Sequence, residues 1–180
     1  MILLARHGET DYNAPPRRIQ GQRDVPLNDR GREQARALAE EAAAHPIETL
    51  WSSHLSRAKE TAAIVGEVLG LEAREDPRLA EANWGDWQGR PADDIGRDAA
   101  ELWERWKDSL PQWRFPGGES LQEHMDRTWA ALDDIAAEGK VALVVCHGGT
   151  IRCALARHEP GGIAALGLRQ VPNGALIPLP

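Results

Sequence analysis

Short apolar runs alternate with longer amphipathic stretches along the chain, the pattern of strands alternating with helices. Ile2 to Ala5 is an apolar run ending at Arg6-His7-Gly8, which predicts a buried strand meeting a loop. Residues 8–28 hold Gly8, Pro15, Pro16, Gly21 and Pro26 and show no period, so a binding loop is expected there. Asn28 or Asp29 can cap a helix running to about His45, with Pro46 ending it. Thr49 to Ser52 predicts a second strand, and about Leu55 to Leu69 a second helix stopped by Gly70. Leu71 to Glu75 reads as a third strand, and residues 78–118 as irregular with short helical pieces. Pro116-Gly117-Gly118-Glu119-Ser120 opens a long helix to about Ala137. Lys140 to Cys146 is the clearest strand, followed by a helix from Thr150 to about Arg157. Leu166 to Gln170 and Ala175 to Leu179 read as two more strands around a Pro172-Asn173-Gly174 turn.

Such alternation predicts an α/β layer fold. Val141 to Val145 is apolar on both faces, as a central parallel strand must be. No domain boundary interrupts residues 1–180, which read as a single domain with a cap-like insertion around 78–118.

Composition narrows the function. With 42% hydrophobic and 27% charged residues the chain is an ordinary globular one. A net charge of -7 argues against non-specific nucleic-acid binding, so any anion must be met by a local cluster of cations. The only two cysteines, Cys146 and Cys153, lie on one segment and fit a reducing compartment, so a cytoplasmic location is expected. The first apolar run is too short for a signal peptide, and no stretch approaches the ~20 apolar residues that span a bilayer, so no membrane partner is expected. Seven tryptophans stand against one Phe and one Tyr; Trp84, Trp87, Trp103 and Trp106 fall in one segment and are expected to pack a core or cap rather than stack on substrate.

Two strand ends match. Ile2 to Thr10 is an apolar run followed by Arg-His-Gly-Glu-Thr, and Val141 to Thr150 is an apolar run followed by Cys-His-Gly-Gly-Thr. In parallel α/β sheets ligands bind at the carboxyl ends of strands. If these strands are neighbours, His7 and His147 share that edge. Gly8 and Gly148-Gly149 would let an anion approach the backbone, and the helix beyond them offers unpaired N–H groups. Arg6 and Arg57 could add planar forks for phosphate oxygens.

With these motifs the chain resembles the histidine phosphatase superfamily, the phosphoglycerate mutase-like proteins. Arg6-His7-Gly8-Glu9-Thr10 is similar to the family's leading motif. Asn13, Ile19-Gln20-Gly21 and Pro26 to Ala35 resemble the loop and helix start after it. Ser53 to Ala62 resembles the second arginine motif, and Leu79-Ala80-Glu81 with Gly85, Trp87 and Gly89 the segment carrying an acid. Pro116 to Ser120 and His147-Gly148-Gly149 complete five ordered matches over most of the chain. The resemblance implies a three-layer α/β/α fold with a mostly parallel central sheet. It implies a metal-independent phosphatase, a phosphoric monoester hydrolase acting on a small phosphorylated metabolite with no cofactor. His7 would become phosphohistidine, Glu81 would move the proton, and Arg6, Arg57 and His147 would hold the phosphoryl oxygens. Gly8, Thr10, Asn13, Gln20 and Gly148 would complete the phosphate site. Glu9, Asp24 and Asp86 are rival carboxylates, and His45, His54, His124 and His158 read as surface or packing residues. Phosphoserine, α-ribazole phosphate, phosphoglycerates and sugar phosphates are all candidate substrates.

Three rivals stand beside this reading. Cys146 to Arg152 has the spacing of a cysteine-dependent phosphate loop, which would make Cys146 the nucleophile. A phosphoglycerate mutase would use the same motifs, usually in a longer chain. A non-catalytic module could keep the phosphate pocket alone. The C-terminal strands could also pair across a homodimer.

Overall fold

The computed structural model describes residues 1–180. From the N-terminus it runs β1 (Ile2–Arg6), α1 (Asp29–Ala42), β2 (Thr49–Ser52), α2 (Ser56–Leu69) and β3 (Ala73–Glu75). It continues through α3 (Ala92–Asp98), α4 (Ala100–Lys107), α5 (Leu121–Ala137), β4 (Ala142–Cys146), α6 (Gly148–Ala156), α7 (Gly162–Leu166) and β5 (Leu176–Pro178). The strands form one sheet in the order β3-β2-β4-β1-β5, parallel except for β5.

The period of the strands explains the three layers. Successive side chains of a strand point to opposite faces. Leu3, Ala5, Leu143 and Val145 therefore pack against α1 and α2, through Leu38, Ala39, Ala58, Ala62 and Val65. Ile2, Leu4, Val144 and Cys146 face the other way, onto Leu132 and Ile135 of α5 and Ile151 and Ala154 of α6. Burial on both faces is why the two runs carry no polar alternation.

Local signals set most of the ends. Asn28 accepts from the Gly31 amide at 2.8 Å, capping α1. Ser120 and Glu123 form a reciprocal capping box at the start of α5. Gly70, at φ +67°, closes α2 in the left-handed conformation.

Several boundaries differ from expectation. α1 stops at Ala42, and Ala43 to His45 turn out of it, because a residue before proline disfavours helix. β3 begins at Ala73 rather than Leu71, because the Leu71 amide is still bonded to the Gly66 carbonyl at the end of α2. α6 begins at Gly148 rather than Thr150, so the two glycines form its first turn. Leu166 to Gln170 is not a strand. Gly161, Gly162 and Gly167 take positive φ, short α7 forms between them, and Leu168 to Val171 then line a cavity. Only the second predicted strand of the tail forms, as β5 antiparallel to β1.

Residues 78–118 hold α3, α4 and a short 3-10 turn at Gly85–Trp87 around a separate apolar cluster that Leu121 of α5 joins. Trp87, Trp106, Trp113 and Phe115 are buried there, and Trp84 stacks on Phe115 with ring centroids 4.3 Å apart. The tryptophans do pack, as expected, but Trp84, Trp103 and Trp106 also face the cavity.

Candidate active site

β1 and β4 are adjacent and parallel, with Arg6 opposite Cys146, so the next residue of each strand leaves the sheet at the same place. The His7 amide bonds the Cys146 carbonyl at 3.0 Å, and the rings of His7 and His147 lie 5.1 Å apart. Both rings are buried, at 2% and 0% exposure. His7 lies in the wall of a cavity of about 560 Å³ whose lining also includes Arg6, Asn13, Gln20, Arg57, Glu81, Gly148 and Gly149, while His147 sits directly behind His7 and outside that lining.

The tautomer of His7 is set by its partners. Nδ1 lies 2.6 Å from the Gly8 carbonyl oxygen, which can only accept, so Nδ1 carries the proton. Nε2 is then an acceptor, and the Nε–H of Arg57 donates to it at 3.3 Å. Burial, and then the guanidinium groups of Arg57 and Arg6, push His7 well below the ordinary imidazole range. His7 is therefore neutral near pH 7, with a fixed lone pair on Nε2.

Arg57 sits in the first turn of α2 at 1% exposure. Its Nη1 and Nη2 donate to the carbonyls of Arg23 at 2.9 Å and Gly21 at 2.7 Å, which pins the irregular loop. Burial lowers its pKa to about 10, against the opposing pull of Glu81 and Asp24, and it stays charged at neutral pH. Arg6 donates Nη1 to the Val171 carbonyl, while its buried Nε has no partner. His147 pairs its Nε2 with the Ser53 hydroxyl at 2.8 Å and leaves a buried Nδ1 unpartnered. Burial, then Arg57, also pushes His147 well below its ordinary range.

Glu81 is set by its neighbours. One carboxylate oxygen accepts from the Ala82 amide at 2.9 Å, the other from the Gly149 amide at 3.0 Å. Arg127 and Gln22 bond its carbonyl. A Cβ on Gly149 would stand 2.2 Å from Glu81 Oε1, so that glycine makes room for the carboxylate. The first turn of α6 thus serves Glu81 as much as any incoming anion. Of the rival carboxylates, Glu9 bonds Arg30 and Asn28, Asp24 caps Ser56, and Asp86 lies against Gly117. None of the three lines the cavity, although Asp93 does.

Three expected phosphate contacts, His147, Gly8 and Thr10, do not line the cavity; His147 keeps its ring beside His7, and the other two stand behind the site. Gly8 does not line the cavity. It packs on α1, where a Cβ would come 2.2 Å from the Gly31 carbonyl oxygen, and its amide donates to the Thr61 hydroxyl at 3.1 Å. Gly8→Ala is expected to cost roughly 1–3 kcal/mol or more by overpacking, read as a Tm lower by several degrees. Thr10 is also outside the lining and fully buried. Its hydroxyl donates to Gln20 Oε1 at 2.8 Å and its amide to Asn13 Oδ1 at 3.1 Å. Thr10 therefore occupies the two amide oxygens and leaves the amide nitrogens of Asn13 and Gln20 as donors at the cavity. Gly148 does line it, beside Arg6 Nε.

Other residues of the site were not singled out from sequence. Ser53 pairs with His147, and Thr61 donates to the Arg57 carbonyl at 2.7 Å. Both lie in the motif around Arg57, which is the signal that could have marked them. Asn173 donates to the His7 carbonyl at 2.9 Å, and Arg17 and Arg169 line the cavity, as does Arg152, which the sequence marked only as the end of the Cys146 loop. Cys146 belongs to the hydrophobic core at 0% exposure, and burial pushes its thiol up. A thiolate nucleophile has no place there. His45, His54 and His158 are exposed, while His124 is buried and bonds Thr150.

Three buried imidazoles, His7, His124 and His147, are held below their ordinary range chiefly by burial. Unfolded, they take up protons near pH 6.5. Their neutral form is therefore no burden above that pH, and stability falls as the pH drops below it. The loss is up to about 1.4 kcal/mol per imidazole per pH unit until each folded-state pKa is reached. Thermal melts at about pH 7.5 and 5.5 should show a lower Tm at the acid value; equal values would contradict this.

Paired neutral imidazoles lie beside buried guanidinium groups at parallel strand ends, and the chain belongs to the histidine phosphatase superfamily (branch 1), which matches residues 2–179. It is 41% identical over 155 residues to a protein of Enterobacter named probable phosphoglycerate mutase GpmB, spanning 84% of this chain and 71% of that one. The Serratia proteamaculans protein of the same name is 38% identical over 154 residues, with the same shares. Among solved structures, a mycobacterial glucosyl-3-phosphoglycerate phosphatase complexed with VO3 superposes with a TM-score of 0.87 at 34% identity, covering 97% of this chain and 90% of that one. The α-ribazole phosphatase of Shigella flexneri gives 0.82 at 27% identity, covering 97% and 87%. No helix is long and apolar enough to cross a membrane.

Proposed function

We propose that the protein is a phosphatase that hydrolyses small phosphate monoesters through a phosphohistidine on His7. The observation that carries this is the hydrogen bond from His7 Nδ1 to the Gly8 carbonyl, which leaves Nε2 as a neutral, oriented nucleophile among guanidinium groups. In the first step Nε2 bonds to phosphorus as the ester P–O bond breaks, and the Glu81 carboxyl gives its proton to the departing oxygen. In the second, water attacks phosphorus, Glu81 takes a proton from it, and the N–P bond breaks to free His7 and phosphate. Arg6 and Arg57 stabilise the equatorial oxygens, with the amides of Asn13 and Gln20, and the buried, unpartnered Nδ1 of His147 behind His7 adds a further donor. Residues 78–118 act as a cap that supplies the Trp84, Trp103 and Trp106 wall.

Hydrolysis needs water, and the cavity mouth is rimmed by exposed Arg17, Arg18, Arg169 and Gln170, through which water can enter. The phosphatase titles of the structural neighbours support the same reading. The mutase names of the sequence relatives favour a second one, in which the phosphoryl group returns to another hydroxyl. Incubating the protein with 3-phosphoglycerate, with and without a bisphosphoglycerate primer, separates the two. Release of inorganic phosphate, unaffected by primer, is expected. Primer-dependent formation of 2-phosphoglycerate without phosphate release would assign the mutase reaction instead.

A further inference from the structure

The arginines of this chain divide into two sets. Of eighteen, nine are held in ion pairs with carboxylates, and none of these lines the cavity. Six of the nine without a carboxylate do line it: Arg6, Arg17, Arg18, Arg57, Arg152 and Arg169. The only carboxylates in the lining are Glu81 and Asp93. In a chain of net charge -7 this is a local surplus of four positive charges with Glu81 ionised and His7 neutral, and of five when Glu81 holds the proton that it donates in the first step. A phosphate monoester dianion offsets two of them. The cavity remains cationic around a substrate that carries nothing but its transferable phosphate.

The surplus has a focus. Arg17, Arg18 and Arg169 are exposed at the mouth, where solvent and salt screen them. Arg152 is half-buried on α6, four residues after Gly148 and therefore on the same side of the helix, about 6 Å further along its axis. Its Nη2 donates to the Ser109 hydroxyl at 3.0 Å, and its buried Nε has no partner. Ser109 is itself buried, and it is the only residue other than glycine with positive φ, at +50°. A side chain is held in that disfavoured conformation with its hydroxyl on Arg152. Nothing in the phosphoryl-transfer chemistry uses this pair.

Resting on the phosphatase reading, we infer that the leaving group of the substrate carries a second anion, a carboxylate or a phosphate, that is received by Arg152, with Ser109 as the residue that positions it. Arg17 and Arg169 at the mouth draw the same anion inward. Esters of neutral alcohols are the poorer substrates.

Matched ester pairs test this. The ratio of kcat/KM for 3-phosphoglycerate over glycerol 3-phosphate isolates a carboxylate, and that for fructose 1,6-bisphosphate over fructose 6-phosphate isolates a phosphate. A ratio of tenfold or more is expected in at least one pair, and the pair identifies the anion. Arg152→Gln should cut that ratio by about 10- to 100-fold, the range of a charge-assisted hydrogen bond. Ser109→Gly suits the left-handed backbone, so it should fold, yet it should also lower the ratio. Ratios below tenfold in both pairs, or a ratio that neither variant lowers, would overturn the inference while phosphatase activity stands. Failure to hydrolyse any of these esters or p-nitrophenyl phosphate would overturn the phosphatase reading and this inference with it.

Discussion

His7→Ala is expected to lower kcat/KM toward p-nitrophenyl phosphate by at least about 10³-fold, because it removes the atom that forms the bond to phosphorus. The neighbours are poorly placed to replace it. His147 has Nε2 paired with Ser53, its Nδ1 is buried and its ring does not line the cavity, and Cys146 is sealed in the core. The fold should survive, since β1 is held by backbone pairing to β4 and β5 rather than by the imidazole. Circular dichroism and steady-state rates on the same sample check both halves. A folded His7→Ala protein that keeps a tenth or more of the activity would place the nucleophile elsewhere.

Arg57→Ala should fail in two ways at once. The guanidinium bonds the Gly21 and Arg23 carbonyls as well as His7 Nε2, and it is 1% exposed. Its loss strands carbonyls, opens a void and unpins the loop that carries Gln20. A destabilisation of roughly 2–4 kcal/mol is expected, lowering Tm by about 5–15 °C. Turnover should fall by about 10²–10³-fold as a preorganised donor is lost. Arg57→Lys separates the two effects. One ammonium restores the buried charge but cannot reproduce a planar fork with three acceptors, so stability should return in part and turnover should not. Recovery of turnover by lysine would reduce Arg57 to a point charge.

Much of this site was legible in local sequence. The matching His-Gly ends of the first and fourth strands pointed to a shared edge on the condition that the strands are neighbours, and their parallel pairing meets that condition. Glu81 was reached through resemblance, and Arg57, named beforehand as a possible phosphate fork, had no local signal to fix its place. What stayed hidden depends on residues far apart in the chain. Gly8 reads as an anion contact, yet its need for no side chain comes from the Gly31 backbone across the fold. Thr10 reads the same way, and instead orients two amides. Leu166 to Gln170 has the composition of a strand, but no free sheet edge reaches it, because β5 occupies the place beside β1. Arg152 and Ser109 meet from segments 43 residues apart, and neither carries a motif that announces the other.

The most direct measurement of the central claim is chemical trapping. The protein is mixed with a ³²P-labelled monoester, quenched with denaturant at alkaline pH, and digested with trypsin. A phosphohistidine mechanism predicts acid-labile, base-stable label on the peptide from His7 to Arg17. Label on the Cys146 peptide, or no label while substrate is being turned over, would contradict it.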